Sequence, residues 1–81
     1  MSGEKEKVIN AFIKHREQLR KYLRTAKDDV EAIEELFEKE DWLKGDPYSY
    51  LSTISDKACF AIQHLCMLSL VVDWIKEGVI V

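Results

Sequence analysis

Cysteine and histidine side chains are the first groups in this sequence that could do chemistry, as metal ligands. Cys59, His64 and Cys66 fall within eight residues of one predicted helix. At about 100° per residue the two cysteines share one flank of that helix and His64 points far from both, so one helix cannot gather all three around zinc. We interpret the cysteines as small buried apolar residues. His15 and His64 are interpreted as residues of a core edge or an interface, and no metal site is predicted.

A row of carboxylates has the i, i+3, i+4, i+7 spacing of a helix face that binds magnesium. The row comprises Glu31, Glu34, Glu35 and Glu38. A magnesium site needs further acids facing the row, and the second half of the chain offers only Asp56, Asp73 and Glu77, on a different strip. The chain also lacks a glycine-rich phosphate loop. The sequence therefore predicts no catalytic residue, no cofactor and no enzyme activity.

Apolar spacing predicts the elements that carry these residues. A first apolar stripe stays on one helical face from Val8 to Phe37 and crosses Thr25–Asp29 without losing phase. We therefore favour one long helix, about residues 4–44, over two helices that break within 25–29. Such a helix is about 60 Å long.

The segment Lys44-Gly45-Asp46-Pro47 predicts the end of one helix and the start of another. Gly45 suits the left-handed position that ends a helix. Asp46 suits the N-cap of the next helix, and Pro47 suits its first turn, where the missing N–H costs nothing. The expected order is a turn at 45–46 and a second helix over about 47–77, which Gly78 terminates.

The predicted second helix is apolar nearly all the way round, which is typical of a buried helix. A first helix with one apolar stripe covers one side of it and leaves the other in water, and chains this short often recruit a second copy. We expect an all-α fold, an antiparallel helical hairpin of two long helices that dimerises into a four-helix bundle. The expected dimer interface consists of Leu51, Ile54, Ala58, Phe60, Leu65, Met67, Leu68, Val71, Val72 and Trp74.

Charges are separated along the predicted first helix. Residues 1–27 carry eight Lys or Arg and three Glu, a net charge of +5, whereas residues 28–46 carry nine acids and two Lys, a net charge of −7. Two such helices lying antiparallel would set arginines against glutamates, although a solvated, salt-bridged face has the same pattern. The possible partner-binding flank comprises Arg16, Arg20, Arg24, Lys27, Glu31, Glu34, Glu35 and Glu38.

Length and composition set the class of function. The 81 residues suit a single domain, and 47% apolar with 33% charged residues exclude a disordered tail or a collagen-like fibre. Too few cysteines for a disulfide framework, and a start without the features of a signal peptide, favour the cytoplasm. Residues 58–75 approach the length of a membrane span, but Asp73 and the heptad order favour helix packing.

We therefore predict a non-enzymatic homodimer that acts as an adaptor, inhibitor or regulatory subunit on an unidentified protein partner. The alternative is a nucleic-acid-binding regulator that uses the basic half of the first helix. The net charge of −3 and the adjacent acidic segment disfavour that alternative.

Overall fold

Three α-helices make up the computed structural model, which describes residues 2–81, with side chains from residue 3 onward. They are α1 (Ser2–Phe37), α2 (Glu40–Gly45) and α3 (Pro47–Lys76), and residues 2–81 contain no β-strand. The predicted all-α class is confirmed. The chain measures 61 × 15 × 13 Å, and its radius of gyration is 18.1 Å, against about 12 Å for a compact domain of this length.

The first long helix ends earlier than predicted. α1 is continuous through Thr25–Asp29, as the unbroken stripe predicts, but it ends at Phe37, not near residue 44. Residues 38–39 form a turn before α2 begins. The apolar stripe itself stops at Phe37, and the next four residues are Glu, Lys, Glu and Asp. Because helices in proteins are stabilised mainly by packing an apolar face, α1 has little to bury beyond this point.

Hydrogen bonds close the last turn of α1. The Lys39 N–H donates to the Leu36 carbonyl oxygen at 3.0 Å, in the tighter pattern that is frequent at helix ends. The hydroxyl of the buried Tyr50, in α3, donates to the same carbonyl oxygen at 2.7 Å. The turn brings α2 against α3, where the rings of Trp42 and Tyr50 meet edge to face at 5.9 Å.

The junction between α2 and α3 contains the predicted cap but not the predicted glycine turn. Asp46 accepts a hydrogen bond from the Ser49 N–H at 3.1 Å, and Pro47 occupies the first turn of α3. Gly45 is the last residue of α2 and is not left-handed. The predicted two-residue turn at 45–46 is reduced to Asp46 alone. The Asp46 N–H still donates to the Trp42 carbonyl oxygen at 2.9 Å, so helical hydrogen bonding continues to the end of α2.

Gly78 terminates α3, as predicted. Its φ is 74°, the left-handed conformation that glycine adopts most readily. Its N–H donates to the Ile75 carbonyl oxygen at 3.1 Å, and the Val79 N–H donates to that of Trp74 at 2.9 Å. This pair of bonds is a Schellman motif. It turns the chain so that Ile80 packs against the core between α1 and α3.

α1 and α3 pack against each other, and their contacts build a thin core. The two helices run antiparallel: Asp29 lies near His64, and Leu36 accepts a hydrogen bond from Tyr50. Lys14 of α1 bonds Val81, beyond the end of α3. No large side chain among the described residues is fully enclosed. The buried apolar residues are Ala11, Leu19, Ala26, Leu36, Tyr50, Ala61, Val71 and Ile75.

Candidate interaction surface

The residues predicted for a dimer interface differ in how far α1 covers them. Val71, 8% exposed, belongs to the core between α1 and α3. Four others are partly buried: Ile54, Ala58, Leu68 and Trp74. The remaining five are exposed, at 56% for Leu51, 52% for Phe60, 44% for Leu65, 38% for Met67 and 39% for Val72.

α1 covers a strip of α3 that lies between two apolar flanks. Ala61, Val71 and Ile75 are buried there, and one of these, Val71, belongs to the predicted dimer interface. Large apolar side chains remain exposed on both flanks of the contact, Leu65 on one and Phe60 on the other. α1 therefore leaves two half-covered flanks, where the sequence predicts one covered and one open side.

An exposed apolar flank on α1 is a feature that sequence reasoning missed. These four residues belong to the stripe expected to face the second helix, yet their exposed fractions are 43–60%: Phe12, Leu23, Val30 and Phe37. The stripe is wider than the strip that α3 covers. α1 buries Ala11, Leu19 and Ala26 instead, at one edge of the stripe. The signal was the small size of Ala11 and Ala26, which allows close helix approach at that edge.

All eight residues of the charged flank are exposed, so the structure keeps the separation of charge at the surface. Arg20 pairs with Glu17 one turn earlier in α1. An exposed pair of this kind contributes little to stability, about 0–1 kcal/mol. The flank is therefore available for a contact with another molecule.

The histidines lie at the edges of the contact between α1 and the rest of the chain. His64 Nδ1 lies 2.7 Å from the Phe60 carbonyl oxygen and 3.9 Å from an Asp29 carboxylate oxygen. His15 Nε2 lies 3.3 Å from the Val81 carbonyl oxygen. Both positions agree with the interpretation as core-edge residues. Within residues 2–81, no three His, Cys, Asp or Glu side chains are grouped so that they could hold a metal ion.

Both cysteines are free and exposed, so the interpretation of Cys59 and Cys66 as buried residues is wrong. They lie on the side of α3 that faces away from α1. The error has the same origin as the exposed flanks, since one covering helix cannot enclose the whole circumference of α3.

An open groove lies at the end of the molecule where α1 begins and α3 ends. Its volume is about 410 Å³, and Val8, Ile75 and Ile80 contribute apolar walls. Charged side chains of both signs, among them Lys7 and Glu77, stand beside these walls. No convergent set of polar groups from the described residues marks the groove as a catalytic site.

α3 also has the length and apolarity of a membrane-spanning helix, and only 17% of its most apolar stretch is buried in the structure. One such helix is weak evidence for a membrane, since the core helix of a water-soluble protein passes the same test. Most residues of this stretch are not buried, and several of its large apolar side chains remain about 40–60% exposed.

Comparisons with protein-family models, with curated proteins and with solved structures found no match for this chain.

Proposed function

We propose that this chain is a non-enzymatic helical hairpin that dimerises into a four-helix bundle and acts as an adaptor, inhibitor or regulatory subunit. The observation that carries the proposal is the exposure of large apolar side chains along α3. Phe60 and Leu65 stand on opposite flanks of the contact with α1, and about half of each side chain remains in water. A second copy packed on one of these flanks removes that part of the apolar surface from water without requiring a different molecule.

The accessible surface of the chain supports the same proposal. A compact 9.5 kDa monomer exposes about 5,000 Å², whereas this chain exposes 6355 Å². The excess of about 1,300 Å² exceeds the roughly 800 Å² that each partner contributes to a standard interface. The surface that dimerisation could bury is therefore large enough for a specific protein–protein interface.

The charged flank of α1 is the proposed surface for a contact with another protein, either a different partner or an antiparallel second copy. Its basic and acidic halves follow one another along an exposed helix, so a partner with the opposite order of charge would be oriented as well as attracted. We propose a cytoplasmic location, since both free thiols suit a reducing compartment.

Replacement of Leu65 by Asp tests dimerisation. The added carboxylate would be buried without a partner in the bundle, so we expect the variant to sediment as a monomer at concentrations where the wild type is a dimer. Gln63→Asp is the matched control, because Gln63 is exposed on a different side of α3 and should leave the dimer intact. If the measured mass of the wild type stays that of a monomer as protein concentration rises, the proposal is contradicted without any variant.

A nucleic-acid-binding regulator is the second candidate, because Arg16, Arg20 and Arg24 are all exposed on the basic half of α1. It requires retention on a DNA or RNA column at about 50 mM salt that falls as salt rises. Reversal of these three arginines to Glu would abolish such retention. Passage of the wild type through the column removes this candidate, and capture of a protein that survives the same conditions favours the adaptor.

A further inference from the structure

We infer that the second copy packs on one defined side of the helix pair, antiparallel to the first, with a two-fold axis that crosses α1 beside Lys27 and α3 beside Leu65. The inference rests on the proposed dimer and adds its face, its register and its orientation. Three observations carry it: the placement of exposed apolar side chains, the symmetry of the charges, and the symmetry of side-chain size along α3.

The first observation concerns the exposed apolar flank of α1. At about 100° per residue its four members lie within about 40° of one another, along almost the whole helix. They are Phe12, Leu23, Val30 and Phe37, with exposed fractions of 43%, 54%, 44% and 60%. This flank lies about 80° round α1 from the strip that packs on α3.

A matching flank lies on α3. Leu51, Leu65 and Val72 are 56%, 44% and 39% exposed and lie, on average, about 80° round from the strip that packs on α1. Viewed along the common axis, successive residues turn clockwise in one helix and anticlockwise in its antiparallel neighbour. On each helix the exposed flank is reached from the contact strip by turning in the direction of increasing residue number. The two flanks therefore lie on the same side of the helix pair. Together they form one apolar face, which we call the open face.

The opposite side of the pair is partly occupied by the chain itself. Trp74 and Ile80 both pack against the core, and Trp74 lies about 100° round α3 on that side. Lys14 Nζ and His15 Nε2 lie 3.2 and 3.3 Å from the Val81 carbonyl oxygen. The open face has no such cover among the described residues, which makes it the better seat for a second copy.

Charge symmetry selects a second copy of this chain as the occupant. Arg16 and Glu38 lie eleven residues before and after Lys27, and Arg20 and Glu34 lie seven before and after it. A two-fold axis beside Lys27, with α1 antiparallel to the α1 of the second copy, therefore sets each arginine opposite a glutamate. All four side chains are exposed.

The register of α3 agrees with the same axis. Asp29 lies 3.9 Å from His64, so the part of α1 around Lys27 lies opposite the part of α3 around Leu65. A two-fold axis beside Leu65 brings the Leu65 side chains of the two copies into contact. It also brings the small Ala58, seven residues before Leu65, against Val72 of the second copy, seven residues after it. Alternation of small and large side chains across the axis lets the helices interdigitate.

The arrangement has one unfavourable contact. Lys27 approaches its own copy at the axis, where two like charges repel. Lys27→Gln removes that repulsion, so we expect this variant to dimerise more tightly than the wild type, by a factor of about two. Weaker dimerisation of Lys27→Gln contradicts the position of the axis.

Charge reversal tests the orientation. At low salt we expect R16E/R20E, and separately E34R/E38R, to weaken dimerisation about tenfold, because each sets like charges opposite one another. The fourfold variant R16E/R20E/E34R/E38R restores the opposite pairs and should dimerise like the wild type. K21E/R24E is the matched control: it makes the same charge change farther round α1 and should have a smaller effect.

Spin-label distances give an independent readout. In a C59S/C66S background, labels at Arg24→Cys should lie about 9 Å apart along the bundle axis and labels at Asn10→Cys about 51 Å apart. Similar distances at the two positions would overturn the antiparallel arrangement of α1 while leaving the proposed dimer standing. A monomeric wild type would instead overturn the proposed function itself, so the two failures are distinguishable.

Discussion

The hydroxyl of Tyr50 donates a hydrogen bond to the carbonyl oxygen of Leu36 at 2.7 Å, and both residues are 5% exposed. The bond joins the last turn of α1 to the first turns of α3. It is a second hydrogen bond to a carbonyl oxygen that also accepts from the Lys39 N–H, at a helix end where intrahelical partners run out. This contact fixes the end of the helix pair where the chain reverses.

Tyr50→Phe removes this hydrogen bond and keeps the ring that packs against Trp42. We expect the free energy of unfolding to fall by about 1 kcal/mol, the usual net contribution of such a bond. Urea denaturation followed by circular dichroism measures the change. Tyr48→Phe is the matched control, because Tyr48 is 84% exposed and should change stability little. Equal effects of the two substitutions would contradict the role of Tyr50.

Alanine should have opposite effects at two glycines. Gly78 has a φ of 74°, and beyond its two chain neighbours no heavy atom lies within 4 Å of the position that a Cβ would take. Gly78→Ala therefore meets backbone strain alone and should destabilise the protein by about 1–2 kcal/mol. Gly45 has the same free space but ends α2 in an ordinary conformation, so Gly45→Ala should stabilise by about 0.5–1 kcal/mol. Thermal melts of both variants test this contrast in sign.

Asp46 caps α3, and the cap depends on an oxygen that accepts the Ser49 N–H. Asp46→Ala should cost about 0.5–2 kcal/mol of unfolding free energy, whereas Asp46→Asn keeps an acceptor and should cost much less. Chemical denaturation of both variants distinguishes the contribution of the capping hydrogen bond from that of the negative charge. A loss of the same size in both would show that the negative charge, and not the hydrogen bond, is what stabilises the helix end.

Substitutions at two neighbouring valines should distinguish effects on folding from effects on dimerisation. Val71 is 8% exposed in the core, and Val72 is 39% exposed on the open face. Val71→Ala should lower the unfolding free energy by about 2 kcal/mol, through lost burial and the cavity that remains. Val72→Ala should mainly weaken dimerisation, so its effect on stability should shrink when protein concentration is lowered. Effects of both variants that do not depend on concentration would contradict the assignment of Val72 to an interface.

Much of the fold follows from local sequence. The continuity of α1 through Thr25–Asp29 could be predicted because the apolar phase is unbroken there. The cap at Asp46 and the terminator at Gly78 could be predicted because their chemistry is local. The end of the apolar stripe at Phe37 is a local signal for the end of α1, but the Tyr50 hydroxyl that bonds Leu36 there comes from fourteen residues away and could not be predicted.

The side of α3 that faces α1 could not be predicted either. A helix that is apolar nearly all round has no preferred face, so many rotations about its axis bury similar areas. Packing details at Ala61 and Val71 decide between them, and these depend on the partner helix. For the same reason the list of interface residues mixes the buried Val71 with the exposed Leu65.

A single chain leaves large apolar side chains of α3 exposed, and in the proposed dimer a second copy covers one flank of them. Light scattering of the purified wild type, across micromolar concentrations in detergent-free buffer, measures whether that dimer forms. We expect a mass of twice 9.5 kDa, about 19 kDa. A mass of 9.5 kDa at every concentration, or a chain that stays in solution only with detergent, would contradict it.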